Sequence, residues 1–223
     1  TKQWVSRDAA FLQAPAHFGA ETGRWNKTCI ECHTTHGRPR PTRSGEWDSR
    51  ASQFGIACEA CHGPAEQHIR LRDLAEMPAT AEDSIVNPAS LSHQRATEAC
   101  GQCHSINTPR DTPSHIAAQA HGKSFRPGDV LANTRWLVRE DAATRSHLTK
   151  YIGAETDQYL MDQFWPDGMV RISGREYNGL VESACFQRGS LSCLSCHTMP
   201  PDEDDERPLN EWANDQLGAA AHP

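Results

Sequence analysis

The chain has 223 residues, 37% of them hydrophobic and 7% aromatic, and its formal net charge at pH 7 is −7. An acidic chain offers no electrostatic footprint for nucleic acid or for an anionic membrane surface. No stretch approaches the ~20 consecutive apolar residues of a membrane-spanning helix. With so few apolar residues, we expect one domain with a small core rather than several independent ones.

Turn and capping residues predict a mostly α-helical chain with much irregular structure and one small β-hairpin. Proline near the first turn and glycine after the last turn mark the ends of a helix. These signals predict helices at residues 65–76 after Pro64, at residues 88–105, and from Asp111 and Pro113 to Gly122.

Two further segments contain proline or glycine residues typical of turns and no helix-capping pattern. Residues 37–44 carry Pro39 and Pro41 among three arginines, which predicts an extended basic loop. The turn Pro166-Asp167-Gly168 is followed by the alternating Val170 and Ile172, which predicts a small hairpin between residues 165 and 181.

The C-terminal region is acidic. Residues 202–206 are all Asp or Glu, and a short helical pattern follows at residues 208–221. We therefore predict one domain at residues 1–201 and an acidic tail with a short helix at residues 202–223. A run of like charges is typical of a solvated surface, and an acidic docking patch and a cation site are the alternatives.

Eight of the nine cysteines belong to four Cys-x-x-Cys-His motifs, the pattern by which c-type haem is attached. The motifs are Cys29-Ile-Glu-Cys32-His33, Cys58-Glu-Ala-Cys61-His62, Cys100-Gly-Gln-Cys103-His104 and Cys193-Leu-Ser-Cys196-His197. Two thiols three residues apart reach the two vinyl groups on one porphyrin edge, and the adjacent imidazole reaches the iron. Zinc and iron–sulfur sites need paired cysteines but no histidine at the next position, so four covalent haems are favoured over both.

Four haems in a chain of this length have consequences for its core and its location. We expect the haems to form most of the core and the chain without haem to be largely unstructured. Thioether attachment takes place outside the cytoplasm, so we expect a periplasmic, cell-surface or extracellular protein. Cys185 lies outside the motifs; a buried small residue is the usual interpretation, with an intersubunit disulfide and a sulfur-handling site as alternatives.

Several segments resemble the haem-bearing domain of large multihaem c-type cytochromes, many of which carry tetratricopeptide repeats. They are CIECHTTHG at 29–37, ACEACHGPAEQH at 57–68, EACGQCHSI at 98–106, FRPGDVL at 125–131, FWPDGMVRISGREYNGLVES at 164–183 and SLSCLSCH at 190–197. The resemblance implies a multihaem cytochrome fold and extracytoplasmic electron transfer. The chain departs from the family in having no further motif or helical repeat, and in having Met199 where relatives often place a histidine.

The motif chemistry makes His33, His62, His104 and His197 the proximal iron ligands. Eight histidines remain as candidates for the distal positions: His17, His36, His68, His93, His115, His121, His147 and His222. His36 and His68 follow their own motifs too closely to pass round a porphyrin edge, since three helical residues advance only ~4.5 Å. We therefore predict that each binds the iron of a neighbouring haem.

The other candidates differ in their context. His93 precedes Cys100 on the same predicted helix and is the third candidate. His115 and His121 share one short helix, and we expect only one of them, His121, to bind iron. His17, His147 and His222 have weaker contexts, although His222 could reach a haem of another subunit. Methionine is the alternative ligand type, and the candidates are Met77, Met161, Met169 and Met199.

Two classes of function fit this pattern. The first is an electron carrier with four low-spin haems that serves redox partner proteins, and a homopolymer joined through haem edges into a conductive filament is a form of it. The second is an oxidoreductase with one open iron that acts on a nitrogen or sulfur oxyanion. Tyrosine and arginine would then act at the iron, the candidates being Tyr151, Tyr159, Tyr177, Arg171 and Arg175.

Overall fold

The computed structural model describes residues 24–73, 85–197 and 206. It divides the chain into two compact units. Unit 1 is formed by Thr1–Ala60 with Asp111–Ser124, and unit 2 by Cys61–Arg110 with Phe125–Pro223. The boundary predicted between residues 201 and 202 lies outside the described residues.

The described part of unit 1, residues 24–60 and 111–124, has short regular elements joined by loops. A π-helical turn at Trp25–Cys29 leads into helix α1 (Ile30–His33), and strands β1 (Thr34–Thr35) and β2 (Gln53–Phe54) pair antiparallel with Thr34 opposite Phe54. The basic loop between the strands is extended, with isolated bridges from Arg38 to Arg50 and from Pro41 to Trp47.

Helix α5 (Thr112–His121) belongs to unit 1, and local sequence determines both of its ends. The side chain of Asp111 accepts a hydrogen bond from the Ser114 amide at 2.7 Å, which pairs one of the donors that a helix N-terminus leaves unsatisfied. Gly122 follows the helix with a φ of +85°, a conformation that favours glycine. The predicted helix from Asp111 to Gly122 is confirmed.

The chain passes from unit 1 to unit 2 within helix α2 (Cys58–His62). The further helices of unit 2 are α3 (Glu66–Arg72), α4 (His93–His104), α6 (Leu131–Thr134), α7 (Ala142–Ile152), α8 (Thr156–Gln163), α9 (Glu176–Glu182) and α10 (Ala184–Arg188). Single 3-10 turns lie at Pro88–Ser90, Gly153–Glu155 and Cys193–Ser195. Strands β3 (Asn107–Pro109) and β4 (Arg135–Leu137) pair antiparallel, with Thr108 opposite Trp136.

Unit 2 contains two apolar clusters made by the chain itself. Ile106, Val138, Leu148, Leu160 and Phe164 form the first cluster. Phe125, Leu131 and Tyr177 form the second. Residues 106–181 thus contribute apolar side chains of their own to the core, while the expectation that haems supply most of the core and that the chain is unstructured without them stays a prediction.

Asn178 links α9 to two backbone positions, the residue before β3 and the residue after β4. Its side-chain oxygen accepts from the Ile106 amide at 2.7 Å, and its side-chain nitrogen donates to the carbonyl oxygens of Val138 at 2.8 Å and Ile106 at 3.3 Å. The residue is only 3% exposed. Buried polar groups are stable when they are paired, and Asn178 pairs backbone groups beyond the ends of both strands.

The other sequence predictions for the fold are met in part. The turn at Pro166-Asp167-Gly168 is present and closes an antiparallel bridge between Phe164 and Val170, so the hairpin predicted between residues 165 and 181 is met only by this short pairing. Ile172 packs against the first apolar cluster, and the chain becomes helical at Glu176. The helix predicted at 65–76 is described as Glu66–Arg72, and that predicted at 88–105 is a 3-10 turn followed by α4.

Within residues 24–73 and 85–197, no helix is both long and apolar enough to cross a membrane.

Candidate haem sites

Each of the four motifs lies at the end of a short helix or turn. His33, His62 and His104 are the last residues of α1, α2 and α4, and His197 follows the turn Cys193–Ser195. Residues three apart on a helix share a face, so the two thiols of a motif point to one side. All nine cysteines are described, and none forms a disulfide. No disulfide therefore competes for the thiols that haem attachment needs.

The histidine of the second motif is held in a defined orientation. Nδ1 of His62 lies 2.7 Å from the carbonyl oxygen of Val86. A carbonyl can only accept, so Nδ1 carries the proton and Nε2 carries the lone pair. The Val86 amide also donates to the His62 carbonyl at 3.0 Å. A ligand histidine commonly has its other ring nitrogen bound in this way, so this side chain fits an iron site.

The histidine of the third motif has a different partner. Nδ1 of His104 lies 3.5 Å from a carboxylate oxygen of Glu176, at the start of α9. Burial alone would raise the pKa of Glu176, but hydrogen bonds from the amides of Glu176 and Gly174, together with the charge of His104, lower it. An ionised carboxylate therefore faces this imidazole.

The thiols of three motifs meet in unit 2. The turn Cys193–Ser195 packs against α4, and the Cys100 and Cys193 thiols share a hydrogen bond that raises the pKa of Cys100, as burial also does. The same contact lowers the pKa of Cys193. Cys61 and Cys103 lie near enough to raise the pKa of Cys100 further. Motifs two, three and four therefore share one neighbourhood.

The first motif lies in unit 1 with helix α5. Lys123, just after the end of α5, donates from Nζ to the Cys32 sulfur at 3.4 Å and lies 3.8 Å from a carboxylate oxygen of Glu31. Burial, the largest cause, raises the pKa of Cys29. The sequence analysis missed Lys123, because no motif marks it and 91 positions separate it from Cys32.

The surface beside the second motif suits a porphyrin. Phe54 is 83% exposed and Ile56 is 56% exposed, both shortly before Cys58. Neighbouring large apolar side chains on a surface usually mark a place that another group covers. The paired thiols of the second motif and the tautomer of His62 fit a covalently bound haem.

The predicted distal ligands lie in both units. His36 is half-buried, has a φ of +52°, and its ring lies against Gly122 of unit 1. His115 and His121 are exposed on α5, in the same unit as the first motif. His68 is half-buried on α3 in unit 2.

Two other histidines have hydrogen bonds that bear on ligation. Nε2 of His93 lies 3.2 Å from the Phe186 carbonyl oxygen, so it carries the proton and Nδ1 is the ring nitrogen with a lone pair for iron. His147 is buried, stacks on Trp136 with ring centroids 4.3 Å apart, and contacts the Thr108 hydroxyl through Nε2 at 3.1 Å. His147 is therefore a packing residue, as its weak sequence context indicated.

The remaining candidates divide into described and undescribed residues. His17, His222, Met77 and Met199 lie outside the described residues, as do residues 202–205 and 207–223. Met161 and Met169 are exposed. Cys185 is exposed on α10, so its interpretation as a buried small residue is wrong; the short helix turns this side chain to solvent.

Comparison with protein families matches residues 2–63 to the family described as cytochrome c554 and c-prime. This range includes the first two motifs and supports a c-type cytochrome domain with covalent haem, as the resemblance predicts. Among solved structures, the outer cell wall cytochrome OcwA matches 82% of this chain with 21% identity and a TM-score of 0.41. The chain spans 35% of the length of that protein. No curated protein matches the chain.

Proposed function

We propose, from the c-type cytochrome domain that the family match supports, that this chain is a tetrahaem electron carrier. Its haems pass electrons between redox partner proteins outside the cytoplasm. The observation that carries the proposal is the meeting of the Cys61, Cys100 and Cys193 thiols in unit 2.

The position of a thiol limits the position of the haem it holds. A thioether bond fixes one porphyrin edge at its sulfur, and Cys100 and Cys193 lie within hydrogen-bonding reach of each other. Haems held by these thiols would have the attached edges of the third and fourth close together, with the second nearby through Cys61. Because electron transfer slows steeply with edge-to-edge distance, this arrangement favours rapid transfer among these three haems.

The chain supplies enough histidines to fill every iron. The proximal ligands are His33, His62, His104 and His197, and the proposed distal ligands are His36, His68, His93 and His121. Bound haem supplies an iron that alternates between the ferric and ferrous states, and two imidazoles keep that iron low-spin. A carrier with four filled irons needs no catalytic side chain.

Two of the residues that the enzyme alternative would use, Arg175 and Tyr177, make packing and backbone contacts to the third motif. Arg175 donates to the backbone oxygen of Cys103, and Tyr177 packs on Gly101. Burial raises the pKa of Tyr177 to about 12, which makes its phenol a poor acid at neutral pH. These contacts favour the carrier over an oxidoreductase of nitrogen or sulfur oxyanions.

Spectroscopy of the purified holoprotein tests this proposal. Optical and electron paramagnetic resonance spectra should show four haems per chain and no high-spin ferric iron. Cys193→Ser should weaken attachment of one haem, whereas the matched Cys185→Ser variant should keep all four, because Cys185 lies outside the motifs. A stable high-spin signal that responds to nitrite or sulfite would refute the carrier and support the enzyme.

Assembly into an extracellular filament is a finer form of the proposal. Contacts between haem edges of successive copies would form a heterologous interface that does not close. Negative-stain microscopy distinguishes the two forms: filaments that disappear when the chain is truncated before Pro208 support the polymer. Uniform small particles at high concentration support a shuttle, whose weak contacts depend on salt and on the net charge of −7.

A further inference from the structure

Consecutive residues at the start of α9 contact the third motif. The Arg175 guanidinium donates from Nη1 to the backbone oxygen of Cys103. A carboxylate oxygen of Glu176 lies 3.5 Å from Nδ1 of His104. Arg175, just before α9, and Glu176, its first residue, thus contact adjacent residues of the third motif.

The next two residues of α9 continue this contact. The Tyr177 ring covers Gly101, where an added Cβ would lie 2.5 Å from ring carbons. Asn178 accepts from the Ile106 amide at 2.7 Å. Residues 175–178, which we call the brace, therefore hold residues 101–106 at four successive points. The brace therefore contacts the third motif through side chains of the chain itself.

The carboxylate of Glu176 is itself held in place. Its Oε1 accepts a hydrogen bond from the Gly174 amide at 2.9 Å, which leaves Oε2 as the oxygen nearer His104. The Glu176 side chain is solvent-exposed, yet this backbone hydrogen bond defines its direction. A carboxylate held by a backbone hydrogen bond stays at a more constant distance from the neighbouring imidazole than a freely rotating one does.

The partner of His104 differs in charge from the partner of His62. The second motif has a neutral carbonyl, from Val86, at Nδ1 of its histidine. The third has a carboxylate. A carboxylate that accepts Nδ1–H makes the imidazole a stronger electron donor than a carbonyl does, and a stronger donor stabilises ferric iron.

We propose that Glu176 is a positioning residue for the haem of the third motif, which orients His104 through Nδ1 and lowers the midpoint potential of that haem. This inference rests on the proposed function, because it requires a haem at the third motif. The inference also has a consequence for the third motif. Its haem is oxidised more easily than it would be if the partner of His104 were a neutral carbonyl, such as the one at the second motif.

A redox titration of the holoprotein with Glu176→Gln tests the inference. Glutamine keeps the size of the side chain but removes its charge, so one of the four midpoint potentials should rise while the other three stay unchanged. The ferric electron paramagnetic resonance signal of one haem should change with it. Glu182→Gln is the matched control, since Glu182 lies on the same helix and pairs with Arg139 at 3.0 Å.

Several outcomes would overturn the inference. Unchanged potentials in Glu176→Gln would do so, as would an equal shift in Glu182→Gln, which would indicate a general charge effect. Lower thermal stability without a shift would show that Glu176 acts only structurally. If Glu176→Gln fails to accumulate, Glu176→Asp is titrated instead; withdrawal of the carboxylate should raise the same potential less, and no rise refutes the inference.

This result is distinguishable from a failure of the proposed function. A purified chain with the mass of the bare polypeptide would refute the tetrahaem carrier itself. A chain with four haems whose potentials ignore Glu176 would refute only the role of Glu176.

Discussion

Nδ1 of His62 donates a hydrogen bond to the carbonyl oxygen of Val86 at 2.7 Å. The second motif therefore presents an imidazole with its lone pair on Nε2. This tautomer is the one that binds a haem iron, and the protein backbone establishes it.

His62→Ala should remove the proposed proximal ligand of the second haem. We expect the low-spin signal of one haem to be lost and the protein to become less stable, because the change also removes the hydrogen bond to the Val86 carbonyl. Optical spectra and thermal unfolding of the holoprotein measure the two effects. A variant with the spectrum of the native protein would show that His62 is not a ligand.

His147→Phe should give the opposite pattern. The phenyl ring keeps the stacking on Trp136 but loses the hydrogen bond to Thr108, which should cost about 1 kcal/mol of stability. Haem spectra should not change. A new high-spin signal would show that His147 binds iron after all.

The buried His147 should also make the free energy of unfolding depend on pH. Burial lowers its pKa in the folded protein. Below the unfolded value of ~6.5, the unfolded chain binds a proton that the folded chain does not, so this contribution to stability is lost as pH falls through that value. The loss between neutral and mildly acidic pH, measured by chemical denaturation, should be smaller in His147→Phe. An equal loss in both proteins would contradict this account.

Asn178→Ala should destabilise unit 2 strongly. The change leaves the Ile106 amide and the Val138 carbonyl without the side chain that pairs them, and each buried unpaired group costs about 1–3 kcal/mol. Denaturant titration measures the loss. Asn133→Ala, at an exposed position of α6, is the control and should change stability by less than about 0.5 kcal/mol. Equal stability of the two variants would refute the role of Asn178.

His36→Ala and His68→Ala should each create one high-spin iron without loss of haem. Each histidine is proposed to be the distal ligand of a haem other than that of its own motif, so the covalent attachment should not be affected. Electron paramagnetic resonance and haem content measure the two quantities. Low-spin spectra identical to those of the native protein would show that these are ordinary histidines.

The sequence was sufficient for features that depend on neighbouring residues. Asp111, Pro113 and Gly122 predict α5 because capping is local, and the motif residues follow from the spacing of two thiols and an imidazole. The resemblance to c-type cytochromes is supported by the family match. The distal ligands remain predictions.

Long-range contacts could not be predicted in this way. The hydrogen bond from the Arg175 side chain to the Cys103 backbone oxygen joins positions 72 residues apart, and no pattern in either segment indicates it. The apolar clusters of unit 2 were missed because their members, such as Ile106 and Leu160, are scattered along a chain of low mean hydropathy. The hairpin predicted at residues 165–181 is shorter than expected because Ile172 packs against the core and extends no strand.

The number of covalent haems tests the central claim most directly. Intact-mass spectrometry of the denatured native protein, supported by haem staining on a denaturing gel, should give the polypeptide plus four haems. Each motif supplies two thiols for covalent attachment, so denaturation should release none of the four haems. A mass equal to that of the bare polypeptide, with no haem stain, would contradict the account.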